Sequence, residues 1–188
     1  MPIENAGLEI RSLDPARHEH AGFDCGHTRL NNFIKLNAKK QQKDDMSRVY
    51  VATYEGDTRV LGYSAINVGR INADELAKRP RGTPSHGEIP VLFLGQIAVT
   101  KTEAGSGIGG VLMYHVFEKA IGIAGLAGCY AIILDVVSDD GEAAFERRKT
   151  WYGEFGFISF PSDAKRMVMP ISNARALVEA AHTLALAE

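Results

Sequence analysis

Between Val91 and Val116 the chain reads VLFLGQIAVTKTEAGSGIGGVLMYHV: an apolar run, a glycine cluster and a helix-patterned stretch in immediate succession. The cluster Gly105-Ser106-Gly107-Ile108-Gly109-Gly110 falls where that helix begins. A row of unpaired backbone N–H groups then lies at the positive end of a helix dipole, an arrangement that suits phosphate. The lysine and hydroxyl of a GxxxxGK(S/T) loop are missing and no clean GxGxxG precedes the helix, which argues against nucleotide hydrolysis and dinucleotide binding. A plain tight turn is the alternative reading. Three basic clusters could meet phosphate on a polyanion: Lys39, Lys40 and Lys43 with Arg48; Arg79 with Arg81; and Arg147, Arg148 and Lys149. Each is otherwise a solvated face. Cys25 and Cys129 form no CxxC, and His27, His86 and His182 carry no ligand spacing, so neither a zinc site nor a disulfide framework is expected.

The elements that must carry these groups follow from hydrophobic periodicity. Leu8, Ile10 and Leu13 predict a short first strand, and Thr28 to Gln42 a helix with Leu30, Phe33, Ile34 and Asn37 on one face. Arg48 to Tyr54 and Val60 to Val68 read as a hairpin around Glu55-Gly56-Asp57-Thr58. Ile71 to Ile89, with Pro80, Gly82, Pro84 and Gly87, reads as a helical turn and a long loop. Val91 to Val99 is expected to be a central strand covered on both faces, and Ala131 to Val137 a second buried strand. A helix from Glu142 to Glu154 ends at Gly156, short strands follow at Phe157 to Phe160 and Arg166 to Pro170, and an alanine-rich helix runs from about Asn173 to Ala187.

The 188 residues are 45% hydrophobic and 23% charged, which predicts one ordinary globular domain able to bury its own core. A formal charge of −2 argues against coating nucleic acid by net charge alone. No apolar run of membrane-span length and no signal or transit pattern is recognised, so a chain starting near Met1 and a reduced, cytoplasmic location are expected.

The block LGQIAVTKTEAGSGIGGVLMYHVFEKA resembles the acetyl-CoA-binding core of the GNAT acyltransferases, whose diphosphate loop is written Q/R-x-x-G-x-G/A. Aligned on Gly107-Ile108-Gly109, Ala104 stands where that family carries Gln or Arg, with Lys101 nearby as a compensating cation. A narrower resemblance covers nearly all of the chain up to Pro170. FDCGHTRLNNFIKLNAKKQQKDDMSRVYVAT, LGYSAI, IPVLFLGQIAV, TWYGEFGF and PSDAKRMVMPI follow in order and are similar to the GNAT toxins of bacterial type II toxin-antitoxin modules, of the TacT and AtaT kind. Gln96 departs from a frequent Arg, and the helix after Pro170 extends past the usual end.

The resemblance implies a mixed α/β fold: a single GNAT domain over 1–170 with a central, mostly antiparallel, splayed sheet, and a helical extension over 171–188 packed on that domain or at a dimer contact. It implies acetyl transfer from acetyl-CoA to the α-amine of aminoacyl-tRNA, a ribbon-helix-helix antitoxin as partner, a homodimer, and neither metal nor membrane. Ile97, Ala98 and Val99 would flank the pantetheine arm and acetyl carbonyl, and Ala104, Gly105, Ser106, Gly107, Ile108, Gly109 and Gly110 would hold the diphosphate. Tyr152 matches the family's tyrosine; a phenol of ordinary pKa about 10 is protonated at neutral pH and can donate to the departing thiolate. An α-amine titrates at roughly 7.7 to 8.0 and is partly neutral already, whereas a lysine at about 10.4 needs a base, with Glu88 or a water chain available. Lys39, Lys40, Arg147, Arg148 and Lys149 would meet the RNA. The competing readings are a GNAT enzyme for a small amine or a protein N-terminus, and a module that binds acetyl-CoA without turnover.

Overall fold

Strands β1 (Leu8–Ser12), β2 (Arg48–Tyr54) and β3 (Gly62–Asn72) arise where the chain is rich in β-branched and aromatic residues. They pair antiparallel, Leu8 opposite Tyr54 and Arg48 opposite Ile66. The computed structural model describes residues 7–186. Its strands β4 (Glu88–Val99), β5 (Ala131–Asp135), β6 (Ile158–Ser159) and β7 (Arg166–Pro170) complete a seven-stranded sheet of order β1-β2-β3-β4-β5-β7-β6. The chain gathers into two compact units: one holds the residues up to Asn67, Gly95–Val116 and the end from Leu184, the other Val68–Leu94 and Phe117–Thr183.

In the first unit the predicted helix over 28–42 forms as α1 (Thr28–Asn32) and α2 (Ala38–Lys43), joined by a π-helical turn at Phe33–Asn37. The Ala38 N–H donates to the Phe33 carbonyl, five residues back, so the buried face advances by one residue. Leu30, Phe33 and Ile34 are buried as expected, but the next inward residue is Ala38 rather than Asn37, which is exposed. Tyr63 of β3 closes this core. Its ring stacks on Phe33 with centroids 5.8 Å apart and meets Phe23 edge-on at 5.4 Å. Its buried hydroxyl donates to the Leu30 carbonyl at 2.8 Å, and burial pushes the phenol pKa above its ordinary value. Tyr63→Phe is expected to cost about 1 kcal/mol, the worth of one buried hydrogen bond, read as a lower denaturant midpoint at unchanged slope.

In the second unit Val91–Leu94 of β4 pair in parallel with Ala131–Leu134 of β5, β5 pairs antiparallel with β7, and β7 with β6. Ile71, Ala73, Ile89, Val91, Ala131, Ile133, Phe160 and Val168 form its buried centre. The expected hairpin strand to Val68 runs on to Asn72, because Ile71 is drawn into this centre. A capping box then stops it: the Asn72 side chain accepts from the Asp74 N–H, while Glu75 accepts from the Asn72 N–H. Helix α4 (Glu142–Glu154) keeps its predicted bounds, and Gly156, at φ +93°, turns the chain back in a conformation that favours glycine. The final helix α5 begins at Ile171, directly after β7, and ends at Ala185; it buries Ile171, Ala174 and Val178, and Ala187 lies outside the described residues.

Helix α3 (Ile108–Ala127) corrects one expectation. With 20 residues and a hydropathy of 1.2 it is long and apolar enough, by length and composition, to cross a membrane. Its apolar residues are interrupted by glycines and by Tyr114, His115, Glu118 and Lys119, so the sequence shows no continuous run of bulky ones. Leu112, Met113, Val116, Phe117 and Ala120 are completely buried in the folded chain as one apolar stripe, while the last turn, Leu126 included, is exposed.

Candidate active site

The β4–β5 ladder ends at Leu94 opposite Leu134, yet β4 continues through Gly95–Val99. That free half carries Ile97, Ala98 and Val99. In the first unit Ile97 and Val99 pack against a cluster of Ala52, Leu61, Ile108 and Leu112, which brings the end of β4 onto the first turns of α3. Gly62 permits this approach, since a Cβ there would lie 2.9 Å from Leu112 Cδ1 and 3.1 Å from the Ala98 carbonyl oxygen. The end of β4 is tied further by the Thr100 N–H, which donates to the Leu61 carbonyl at 2.7 Å.

The glycine segment then turns into the helix. Gly105 and Gly107 take φ +81° and +88°, and the Gly107 carbonyl accepts from the N–H groups of Gly110 at 2.9 Å and Val111 at 3.2 Å, so Gly107 is the residue from which α3 springs. Ala104, Gly105 and Gly107 are exposed, Ser106, Gly109 and Gly110 half-buried, and Ile108 fully buried as the anchor. The N–H groups that open this helix form a cradle that suits an anion. Lys101 is already engaged: its Nζ lies 2.6 Å from Asp24 Oδ2, and Asp24 Oδ1 accepts from the Gly26 N–H and from Asn31 Nδ2, each at 2.9 Å. The Lys101 ammonium, with these N–H groups, holds the Asp24 carboxyl well below the usual carboxylate range. The Asp24 carbonyl also accepts from the Lys101 N–H at 2.9 Å and from Thr100 Oγ1 at 3.1 Å. Asp24 was not among the expected site residues; the Asp-Cys-Gly turn before α1 was the only local sign of it.

In the second unit Tyr152 lies on the last turns of α4, 8% exposed, edge-on to Trp151 at 5.0 Å and to Phe157 at 6.1 Å. Burial pushes its phenol up to about 12, with the nearby Arg148 charge pulling the other way. The three cations before it differ in situation. Arg147 is exposed, Lys149 sits 5.8 Å over the Phe145 ring, and Arg148 donates to the Val137 carbonyl and pairs with Asp140 through both terminal nitrogens. Lys39 and Lys40 are exposed on α2 in the first unit. Cys25 and Cys129 are half-buried; Cys25 Sγ donates to Asn31 Oδ1 at 3.1 Å.

A mixed sheet whose parallel β4–β5 pairing stops half-way along β4, and a glycine-opened helix directly after that strand, is the architecture of a GNAT acyltransferase. No protein-family model matches the chain. It is 38% identical over 170 residues to the probable toxin TacT of Sinorhizobium fredii, covering 90% of this chain and 94% of that protein. It is 27% identical over 157 residues to a tRNA-acetylating toxin of Mycobacterium tuberculosis, covering 83% and 88%. A solved structure of a Tyr→Phe mutant of the toxin AtaT, bound to the C-terminus of the antitoxin AtaR and acetyl-CoA, matches at a TM-score of 0.74 with 20% identity, covering 91% of this chain and 98% of that one. The chain belongs to the TacT family of GNAT toxins.

Proposed function

We propose that this protein transfers the acetyl group of acetyl-CoA to the α-amine of aminoacyl-tRNA and blocks translation as the toxin of a toxin-antitoxin pair. The observation that carries this reading is the pairing, in one compact unit, of the free half of β4 with the glycine-opened start of α3. Ile97, Ala98 and Val99 flank the pantetheine arm and acetyl carbonyl there, and the turn Ala104–Gly110 receives the diphosphate on the N–H groups of Gly105, Gly107 and Gly109, those of Ala104, Ser106 and Gly110 being bonded to the Lys101, Glu103 and Gly107 carbonyls. Because Lys101 is paired with Asp24, those N–H groups carry the diphosphate without a dedicated cation. The relative named for acetylating tRNA and the structural neighbour solved with acetyl-CoA support the acceptor and the cosubstrate.

The chemistry asks little of the protein beyond placement and a proton. A neutral α-amine attacks the thioester carbonyl, and Tyr152, still protonated at neutral pH, donates to the departing thiolate. No base is required for an amine that titrates near 7.7 to 8.0, roughly. The acceptor's phosphates meet the cationic side of α1–α2, where Thr28 to Lys43 carries Arg29, Lys35, Lys39, Lys40 and Lys43 and no acid. The partners that follow from this reading are an antitoxin of the ribbon-helix-helix class and a second copy of the chain, with the exposed end of α5 near Leu184 at the dimer contact, and the location is the cytoplasm.

The direct test is transfer of labelled acetyl from acetyl-CoA to a pool of charged tRNA, with small amines as control acceptors. Label on the aminoacyl fraction supports the reading; turnover confined to small amines discards the tRNA target. Replacing Lys39 and Lys40 together by Ala is expected to raise KM for charged tRNA at unchanged kcat, and to reduce the salt slope of binding by about one unit per lysine. An unaltered slope would remove α2 from the RNA surface.

A further inference from the structure

Arg148 and Tyr152 occupy positions i and i+4 of α4, places that share one face of a helix. The guanidinium is tethered. Nη1 donates to the Val137 carbonyl at 3.1 Å and to Asp140 Oδ1 at 2.7 Å, and Nη2 pairs with Asp140 Oδ2. These bonds join the exit of β5 to α4 through a bidentate arginine–carboxylate fork, whose planar geometry fixes the side chain more firmly than a lysine could be fixed. With its side chain 29% exposed and both terminal nitrogens already donating to Asp140 and Val137, Arg148 is poorly placed to collect a phosphate. We propose that Arg148 is a positioning residue for Tyr152, held by Asp140 and Val137 so that a cation stands beside the phenol when it gives up its proton. This rests on the assignment of Tyr152 as the acid.

In the transfer step the amine nitrogen bonds to the acetyl carbon and the C–S bond breaks. The sulfur takes the Tyr152 proton, the surplus proton of the amine passes to water, and the phenolate recovers a proton from water. The costly species on the protein is the buried phenolate, and a fixed cation on the same helix face stabilises it. Burial raises the phenol pKa and Arg148 opposes that rise; Arg148 in turn is influenced by Asp140, Asp139 and the phenol. The rings that touch Tyr152, those of Trp151 and Phe157, are uncharged.

Steady-state acetylation of charged tRNA by the wild type, Arg148→Gln, Arg148→Lys, Asp140→Asn and Tyr152→Phe tests this, with melting curves to confirm folding. Arg148→Gln is expected to lower kcat by about tenfold with both KM values within about twofold, a fraction of what a full acid supplies. Arg148→Lys, which keeps the charge but loses the fork, recovers only part of that loss, and Asp140→Asn, which frees the cation, likewise falls between. In the Tyr152→Phe background Arg148→Gln costs nothing more, because there is no phenolate left to stabilise. The inference is overturned if Arg148→Gln leaves kcat intact and instead raises KM for charged tRNA, which marks a phosphate contact. It is equally overturned if the variant costs as much without the phenol as with it, which marks a structural role. A Tyr152→Phe enzyme as active as the wild type brings down the acid itself, and this inference with it.

Discussion

Tyr152→Phe is expected to lower kcat for acetyl transfer by about 10²- to 10⁴-fold, the range general-acid catalysis supplies, while acetyl-CoA binds as tightly as before. The ring contacts with Trp151 and Phe157 survive the change, so the melting temperature should hardly move and a loss of rate reports on the hydroxyl. The pH profile separates this role from a packing one. Burial holds the phenol pKa up to about 12, so the acid stays loaded through the whole working range. The wild-type rate should therefore rise as the acceptor amine loses its proton, near pH 7 to 8 roughly, and then stay level through pH 10, about where an ordinary tyrosine begins to titrate. A decline centred near 10 would mean that the donor is a different, exposed group. A Phe variant with full kcat would remove Tyr152 from the chemistry.

Gly107→Val should weaken acetyl-CoA binding by about tenfold or more, measured directly by calorimetry on the free enzyme. Gly107 sits at φ +88° and supplies the carbonyl that opens α3, bonded to the N–H groups of Gly110 and Val111. A left-handed conformation costs an L-residue about 1–2 kcal/mol and is an outlier for a β-branched one, so the turn must relax and carry the cradle's N–H groups with it. Roughly 1.4 kcal/mol already amounts to tenfold in affinity. Because Ile108, Leu112 and Val116 still anchor the helix in the core, far-UV circular dichroism should be preserved. An unchanged dissociation constant would place the diphosphate elsewhere than on this turn.

The uneven legibility of the chain has a physical pattern. The bounds of α4, the run of β4 and the glycine-opened start of α3 were readable because helix caps, apolar periodicity and glycine turns act over a few residues. The face of the first helix was readable only as far as Ile34. Beyond it the π-helical turn exchanges Asn37 for Ala38 on the inward side, and periodicity at 3.6 residues carries no sign of such a turn. The extension of β3 to Asn72 likewise depends on Ile71 finding partners on β4 and β5.

The charged residues show the same division more sharply. The sequence by itself determined the order of strand, glycine turn and helix, which is written in residue types and short spacings, and its motif blocks carried the resemblance from which the family and fold class followed. Composition and spacing also placed cations at Lys101 and Arg148. Only the tertiary structure decided what those cations do: Lys101 is paired with Asp24 from the far side of the first unit's sequence, and Arg148 is folded back onto Asp140 and the Val137 carbonyl. A charge selects its partner by distance in space and by how much water is removed around it, and neither quantity exists until the chain has folded.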